Sequence, residues 1–106
     1  MVIRPDLSNK ERLKMNNSIA VVILTFNEEI HIERCIRSAQ VVSGEIIVVD
    51  SFSTDNTCTI ARSMGAKVYQ HKFENYARQI NWAFENCDIQ AGWIWRLDAD
   101  EYIEPS

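Results

Sequence analysis

Two aspartates, Asp98 and Asp100, follow the last apolar stretch of the chain with one alanine between them. If the backbone stays extended here, both side chains point to the same side, with Cα atoms roughly 6–7 Å apart. Carboxylates held that close repel each other unless one is protonated or a cation bridges them. Because oxygen ligands suit hard divalent ions, the pair predicts a site for Mg²⁺ or Mn²⁺.

Further polar residues follow the other apolar stretches. Asp50 comes directly after "IIVV", too early to cap the helix predicted near Asp55, so contact with a ligand explains its carboxylate better. In open α/β sheets, ligands bind beyond the carboxyl ends of the strands. The residues predicted at these ends are Thr25, Phe26, Asn27, Glu28, Asp50, Ser51, Ser53, Asp55, Gln70, His71, Asp98, Asp100 and Glu101.

Some polar residues in these connections also have an ordinary structural explanation. Asn27, Ser53, Thr54 and Asp55 are residue types that cap the N-termini of helices. Capping and ligand contact can coexist at one residue, so both roles stay open for these four.

Strands and helices alternate along the chain. Near-continuous β-branched runs predict strands buried on both faces, as in parallel sheets. The predicted strands are "IAVVILTF", "EIIVVD", "AKVYQH" and "GWIWRLD", and the predicted helices are "NEEIHIERCIRSAQ", "TCTIARSMG" and "NYARQINWAFENC". Asn27 is the predicted N-cap of the first helix, and Gly65 closes the second. The order βαβαβαβ predicts an α/β fold with a Rossmann-like parallel sheet.

Length and local composition suggest one ordered domain with a leader. A chain of 106 residues is one domain by size. Residues 1–17 carry four basic and two acidic residues and few large apolar ones, which predicts a mobile leader with a short helix over Glu11–Met15. The ordered domain is predicted to occupy residues 18–106.

Overall composition excludes several classes of protein. A net charge of −4 argues against nucleic-acid binding, which normally requires a basic face. No apolar run is long enough for a membrane span, and the amino terminus lacks a signal-peptide core. The expected protein is soluble and cytoplasmic. Three cysteines, Cys35, Cys58 and Cys87, fall on the apolar sides of predicted helices and are expected to be buried, reduced thiols.

A glycine-rich phosphate-binding loop is missing from the sequence. The chain has three glycines and neither GxGxxG nor GxxxxGK[ST]. Glu28 and Glu29 stand where such a loop would offer bare amides. A nucleotide diphosphate bound here would therefore need a metal ion between itself and the protein, and Asp98 and Asp100 are suited to hold one.

Four motifs in order resemble glycosyltransferase family 2. They are "SIAVVILTFNEE", "GEIIVVDSFSTDNT" with "ARSMGAKVY", "NYARQINWAFE" and "WIWRLDADE", and they cover Ser18 to Glu104. The resemblance implies the GT-A fold, of which this chain would be the N-terminal half, and a nucleotide-diphosphate sugar as donor. The branch that looks most similar contains bacterial glucosyltransferases that extend the inner core of lipopolysaccharide or lipooligosaccharide.

The resemblance also implies roles for individual residues. Thr25, Phe26, Asn27 and Glu28 would line the nucleotide pocket, Asp50 would bind the uracil or its ribose with Ser53 close by, Arg78 and Asn81 would lie on the helix facing the donor, and Asp98 and Asp100 would form the DxD motif. Within that motif, Asp98 would also contact the nucleotide and Asp100 would be the more direct metal ligand.

The implied reaction is an inverting transfer from a UDP-sugar, UDP-glucose, to a lipopolysaccharide-type acceptor. An acceptor hydroxyl attacks the anomeric carbon, and UDP leaves with its charge stabilised by Mg²⁺ or Mn²⁺. A carboxylate base normally takes the acceptor proton.

The chain departs from the family pattern in length. In this family the base and the acceptor surface follow the DxD motif, and Glu101 and Glu104 stand too near that motif to replace them. The chain is therefore expected to be the donor-binding half, inactive alone, with the base beyond Ser106. Exposed apolar surface is expected near Trp93 and Trp95, with self-association through that edge. Peripheral contact with the inner face of the cytoplasmic membrane stays open.

Two other classes of protein compete with this interpretation. A receiver-like signalling domain would also bind Mg²⁺ in a compact α/β fold, and it would be phosphorylated on Asp50. A non-catalytic assembly module would keep the fold without the chemistry, although Asp50, Asp98 and Asp100 are all present.

Overall fold

The computed structural model describes residues 2–3, 8 and 18–101 of the chain. The strands are β1 (Val2–Ile3), β2 (Ile19–Thr25), β3 (Glu45–Asp50), β4 (Lys67–Gln70) and β5 (Trp93–Asp98), and the helices are α1 (Ile32–Gln40), α2 (Thr57–Ser63) and α3 (Tyr76–Asn86). The described strands form one sheet in the order β1-β5-β2-β3-β4. Strands β2, β3, β4 and β5 run parallel to one another, which confirms the predicted Rossmann-like α/β fold.

The helices cover both faces of the sheet, and the side chains of β2 alternate between the two cores. Val21 and Ile23 pack with α1 and α2 on one face. Ala20, Val22 and Leu24 pack with α3 on the other. A strand buried on both faces needs apolar residues at successive positions, which explains the β-branched run that predicted it. No described helix is long and apolar enough to cross a membrane.

The first helix begins later than its sequence predicts. Helix α1 starts at Ile32, and His31 stands at its N-cap position without a capping side chain. Asn27, the predicted N-cap, instead has a φ of +50° and lies in the connection after β2. Its side-chain oxygen accepts a hydrogen bond from the Thr54 amide at 2.8 Å. The N-cap assignment was wrong because this side chain binds a neighbouring loop rather than its own helix.

The other two helices begin and end close to their predicted limits. Helix α2 ends at Ser63, and Gly65 follows with a φ of +89°, as a helix-closing glycine should. Asn75 caps α3 by accepting a hydrogen bond from the Arg78 amide. Tyr76 shares the helical spacing of the buried residues Ala83 and Phe84 and was expected on the apolar side of α3, but it is 53% exposed.

The amino-terminal strand changes the expectation for the leader and for the β5 edge. Val2 and Ile3 pair antiparallel with Ile94 and Trp93, so these two residues are not a free leader. The helix predicted over residues 11–15 lies outside the described residues. β1 pairs with the first two residues of β5, so this part of the edge is covered. Trp93 is half-buried and Trp95 packs against the core under α1 and α2, so neither of these two described tryptophans gives the exposed apolar surface expected there.

The three cysteines are free thiols, as predicted. Cys35 and Cys87 are buried, and Cys58 is partly buried. Burial raises the pKa of Cys35 and of Cys87 to about 12. Burial, with the hydrogen bond and negative charge of Asp50, raises the pKa of Cys58 to about 11.

Candidate functional site

A cavity of about 620 Å³ opens at the carboxyl ends of the parallel strands. The residues that line it come from the connections after β2, β3, β4 and β5. They are Leu24, Thr25, Phe26, Glu28, Ser51, Lys72, Phe73, Tyr76, Asp98, Ala99 and Asp100. This is the edge where a parallel α/β sheet binds its ligands, and the volume suits a small organic ligand.

The cavity has an acidic wall and an aromatic wall. Glu28, Asp98 and Asp100 are its acidic lining residues. Phe73 and Tyr76 meet edge to face, with ring centroids 5.2 Å apart. The Arg96 guanidinium lies 5.6 Å from the centroid of the Tyr76 ring, which ties the start of α3 to β5.

Asp98 is the last residue of β5, and its side chain lines the cavity. Its Oδ1 is buried and has no hydrogen-bond partner among the described residues. Burial first, and then the negative charges of Glu101 and other nearby acids, raise the pKa of Asp98 against the opposing effect of Arg96. Since a buried polar atom normally has a partner, this oxygen indicates a ligand.

The backbone after Asp98 turns instead of staying extended. The Glu101 amide donates to the Asp98 carbonyl at 2.9 Å and closes a turn. The Glu101 carboxylate accepts from the Asp98 amide, also at 2.9 Å. The extended geometry assumed for Asp98 and Asp100 was therefore wrong, because these hydrogen bonds bend the chain. Both aspartates still line the cavity.

Asp50 ends β3, and its carboxylate is fully bonded. Its side chain is buried, with 0% exposure. Oδ1 accepts from the hydroxyls of Thr25 at 2.6 Å and Ser53 at 2.5 Å, and Oδ2 accepts from the Ser53 amide at 2.7 Å. Burial alone would raise the pKa of Asp50, but the Ser53 and Thr25 hydrogen bonds outweigh it and lower the pKa. Phosphorylation here would break these bonds, which argues against the receiver-like alternative.

Hydrogen bonds join the connection after β2 to the connection after β3. The Asn27 amide donates to the Ser53 hydroxyl at 2.7 Å. The Glu28 amide donates to the Thr57 hydroxyl at 2.8 Å. With the bond from the Thr54 amide to the Asn27 side chain, these contacts hold Phe26 and Glu28 where they line the cavity.

The structure thus separates the residues predicted to contact a nucleotide or a metal ion into three groups. Thr25, Phe26, Glu28, Asp98 and Asp100 line the cavity. A second group, Asn27, Asp50 and Ser53, lies outside the lining and supports it through hydrogen bonds.

Arg78 and Asn81 form the third group and are not brought to this cavity. They line a separate depression of about 300 Å³ with Trp82 and neighbouring residues of α3. The Arg78 guanidinium there pairs with the Glu74 carboxylate at 2.6 Å. The structure therefore places these two polar residues of α3 on another surface of the helix.

Five lining residues were missed by the sequence reasoning: Leu24, Lys72, Phe73, Tyr76 and Ala99. Lys72 and Phe73 belong to the connection between β4 and α3, for which only Gln70 and His71 were considered, and Tyr76 is the first residue of α3. The rule that ligands bind beyond strand ends could have found Lys72 and Phe73, because this connection also begins at a carboxyl end. Tyr76 was harder to identify as a lining residue, because its spacing also fits the apolar side of α3.

The acidic wall fits a divalent cation that takes only part of its coordination from the protein. Among the described residues, no three His, Cys, Asp or Glu side chains are grouped to hold a metal ion. Asp98 and Asp100 both line the cavity, and Oδ1 of Asp98 has no hydrogen-bond partner in the part of the chain that the structure describes. Mg²⁺ is commonly bound through one or two carboxylates plus substrate phosphates. The donor set therefore matches Mg²⁺ or Mn²⁺ shared with a phosphate ligand.

Comparison with known proteins gives a consistent family. Residues 20–106 match the model of glycosyl transferase family 2. An uncharacterized glycosyltransferase of Rickettsia bellii is 42% identical over 84% of this chain and 30% of its own length. A lipopolysaccharide core biosynthesis glycosyltransferase of Rhizobium meliloti is 32% identical over 81% of this chain and 33% of its own length.

Solved structures agree with the sequence relatives. Glucosyl-3-phosphoglycerate synthase from Mycobacterium tuberculosis, crystallised with UDP, superposes with a TM-score of 0.65 at 26% identity, over 92% of this chain and 39% of that one. The same enzyme with Mn²⁺ and UDP-glucose gives a TM-score of 0.64 at 27% identity, over 80% and 34% of the two chains.

The chain spans about a third of the length of the curated relatives that it matches. The matched part covers the four parallel strands and the cavity at their carboxyl ends. Since the family model covers most of the chain, the earlier resemblance is confirmed. This protein belongs to glycosyltransferase family 2 and has the α/β fold of GT-A glycosyltransferases.

Proposed function

We propose that this chain binds a UDP-sugar, UDP-glucose, in the 620 Å³ cavity and provides the donor site of an inverting glycosyltransferase. The observation that carries the proposal is the Asp98 carboxylate, which lines the cavity with one oxygen unpaired among the described residues. The Mycobacterium tuberculosis structures with Mn²⁺ and UDP-glucose support this choice of donor.

Asp98 and Asp100 would hold Mg²⁺ or Mn²⁺ in this proposal. When bound, the ion supplies positive charge that stabilises the diphosphate as it leaves the sugar. Burial, and then the negative charges of neighbouring acids, raise the pKa of Asp98. A nearby cation would offset that repulsion.

The remaining residues of the site divide into contacts and supports. Thr25, Phe26 and Glu28 are proposed to contact the nucleotide, because they line the cavity. Asp50 and Ser53 would act beneath them: Asp50 orients the Thr25 hydroxyl, and Ser53 fastens the Asn27 amide. These supports preset the loop before the donor arrives, which lowers the entropy cost of binding.

The acceptor is proposed to be a sugar of a lipopolysaccharide-type glycan, as the name of the Rhizobium meliloti relative suggests. The described acids of the site are already engaged. Glu28 binds His31 at 2.8 Å, Glu101 binds the Asp98 amide, and Asp98 and Asp100 are assigned to the metal. We therefore assign none of them as the base, and we propose that this chain alone binds the donor without transferring the sugar.

Calorimetry with UDP tests the proposed donor site. We expect the 106-residue chain to bind UDP in the presence of Mn²⁺ and to lose at least tenfold in affinity when EDTA removes the ion. Asp98→Asn and Asp100→Asn should reduce the affinity by a similar factor. Glu85→Gln is a matched control, because Glu85 is exposed on α3 outside the cavity. This substitution removes one negative charge, as Asp98→Asn and Asp100→Asn do. The proposal would be contradicted if the wild type binds UDP equally well with Mn²⁺ and with EDTA, or if it does not bind UDP at all.

A further inference from the structure

Lys72 is the cationic residue of the cavity. Among the described residues that line it, Lys72 is the only one with a positive charge. Its side chain is exposed, and neither a hydrogen bond nor an ion pair joins its ammonium group to another described residue. Glu28, Asp98 and Asp100 line the same space, so the cavity carries more negative than positive side chains.

Lys72 belongs to the segment that joins β4 to α3. Near the start of this segment, the His71 backbone amide donates to the carbonyl of Asp50, the last residue of β3, at 2.9 Å. At its end, the Tyr76 ring lies 5.6 Å from the Arg96 guanidinium of β5. The segment is thus tied to both strands that flank β2, and it contributes Lys72 to the cavity that Glu28, Asp98 and Asp100 also line.

The residue before Lys72 is held firmly. His71 Nδ1 is 2.8 Å from the Gln79 side-chain oxygen, and the Gln79 side-chain Nε2 donates a hydrogen bond to the His71 backbone carbonyl at 3.1 Å. The His71 ring also stacks on Trp82, with centroids 4.4 Å apart. Gln79 is buried, so its hydrogen bonds to His71 are protected from water. The backbone of Lys72 is thereby preset, whereas its ammonium group stays available.

We propose that Lys72 binds the diphosphate of the donor in the cavity that Asp98 and Asp100 also line. The inference rests on the proposed function and adds a specificity-determining residue to it. A nucleotide diphosphate entering a cavity with three acidic side chains needs positive charge from the protein as well as from a metal. The lysine ammonium group offers three donors and a compact charge, which suit phosphate oxygens without fixed geometry.

The test is a charge series at position 72, with UDP titrated in the presence of Mn²⁺. Lys72→Gln should weaken UDP binding at least tenfold, as expected for the loss of a hydrogen bond to a charged group. Lys72→Glu should weaken it further, and Lys72→Arg should stay within about threefold of the wild type. Arg37→Gln is the matched control, because Arg37 is an exposed cation of α1 that pairs with Glu33 far along the helix from the cavity.

The outcomes separate this inference from the proposed function. The contact with the diphosphate is supported if the affinity for UDP falls in the order Lys72→Arg, Lys72→Gln, Lys72→Glu while Arg37→Gln binds UDP like the wild type. Equal affinities across the series overturn the role of Lys72, while metal-dependent binding by the wild type leaves the donor site standing. Equal losses in Lys72→Arg and Lys72→Glu overturn it too, because the effect would then be steric. Failure of the wild type to bind UDP overturns both.

Discussion

Asp50 and Asp98 end the two strands that flank β2, and their carboxylates have opposite surroundings. Asp50 pairs with Thr25 across β2 and β3, and Asp98 pairs with Leu24 across β2 and β5. Hydrogen bonds from hydroxyls and an amide surround Asp50 and lower its pKa. Burial and neighbouring acids surround Asp98, raise its pKa and leave Oδ1 unpaired among the described residues.

The difference follows from what each connection brings to the strand end. After β3 the chain turns back with Phe52 at a φ of +60°, which presents both the amide and the hydroxyl of Ser53 to Asp50. After β5 the turn brings in Asp100 and Glu101, which add negative charge. Equivalent places in a sheet can therefore hold one aspartate that organises a loop and another that we propose as a ligand of a cation.

Replacing Asp50 should give the largest effect on stability. Asp50→Asn turns one acceptor into a donor that faces the donors of Ser53, so buried hydrogen bonds are lost. We expect the free energy of unfolding to fall by about 3 kcal/mol, as is typical when a buried, charged acceptor is removed. Urea denaturation measures it. An effect no larger than that of Asp98→Asn would contradict the contrast between the two aspartates.

The pH dependence of that loss has a defined sign. Because the pKa of Asp50 is lower in the folded state than in the unfolded chain, its ionised form stabilises the fold above the unfolded pKa. This contribution disappears as the pH falls through the folded pKa. The difference between wild type and Asp50→Asn should thus be full near about pH 7 and shrink below about pH 4.

Most of the fold was predictable from the sequence because its signals are local. The residues from Ile19 to Leu24 and from Ile46 to Val49 are apolar at successive positions, as strands covered on both faces require. Gly65 marked the end of α2 through backbone chemistry that acts within a few residues. The pairing of Val2 and Ile3 with β5 was not predictable, since two residues carry no periodic pattern.

The sequence predicted the location of the candidate site better than it predicted what each residue does there. The rule for strand ends located Thr25, Glu28 and Asp98 at the cavity. It could not show that Asp50 is satisfied by Ser53, because hydrogen bonding depends on how a loop folds. Capping propensity likewise could not show which loop a side chain would bind, as Asn27 demonstrates.

Asn27 offers a smaller and sharper test of the loop that supports the site. Its φ of +50° favours glycine or asparagine, and its side chain accepts from the exposed Thr54 amide at 2.8 Å. We expect Asn27→Ala to cost about 1.5 kcal/mol, from backbone strain plus the lost bond, and Asn27→Gly about 0.5 kcal/mol, since glycine removes the strain. Urea denaturation of the pair measures both.

The two Asn27 variants should also differ in function. If this loop must be held in place for binding, both variants should bind UDP more weakly than the wild type. Each variant loses the hydrogen bond to Thr54 that helps to hold Phe26 and Glu28 in place. Full UDP affinity in Asn27→Gly would show that the bonds from the Asn27 and Glu28 amides suffice.

Asp98 should give the smallest effect, with the opposite sign. Its pKa is higher in the folded state, so the folded protein holds its proton more tightly than the unfolded chain does. The free energy of unfolding therefore falls as the pH rises from the unfolded to the folded pKa, and the ionised group costs stability above that window. Asp98→Asn cannot ionise, so without metal it should be about 0.5 kcal/mol more stable than the wild type near about pH 7. That gain should vanish below about pH 4.

The same substitution separates stability from ligand binding. Urea denaturation of Asp98→Asn with Mn²⁺ and UDP should show the wild type overtaking the variant, because only an intact carboxylate gains from the cation. If Asp98→Asn is less stable than the wild type in the absence of Mn²⁺ and UDP, then Oδ1 of Asp98 has a hydrogen-bond partner in solution. In that case Asp98, like Asp50, would serve the fold, and the acidic wall would lose its strongest argument for a metal ion.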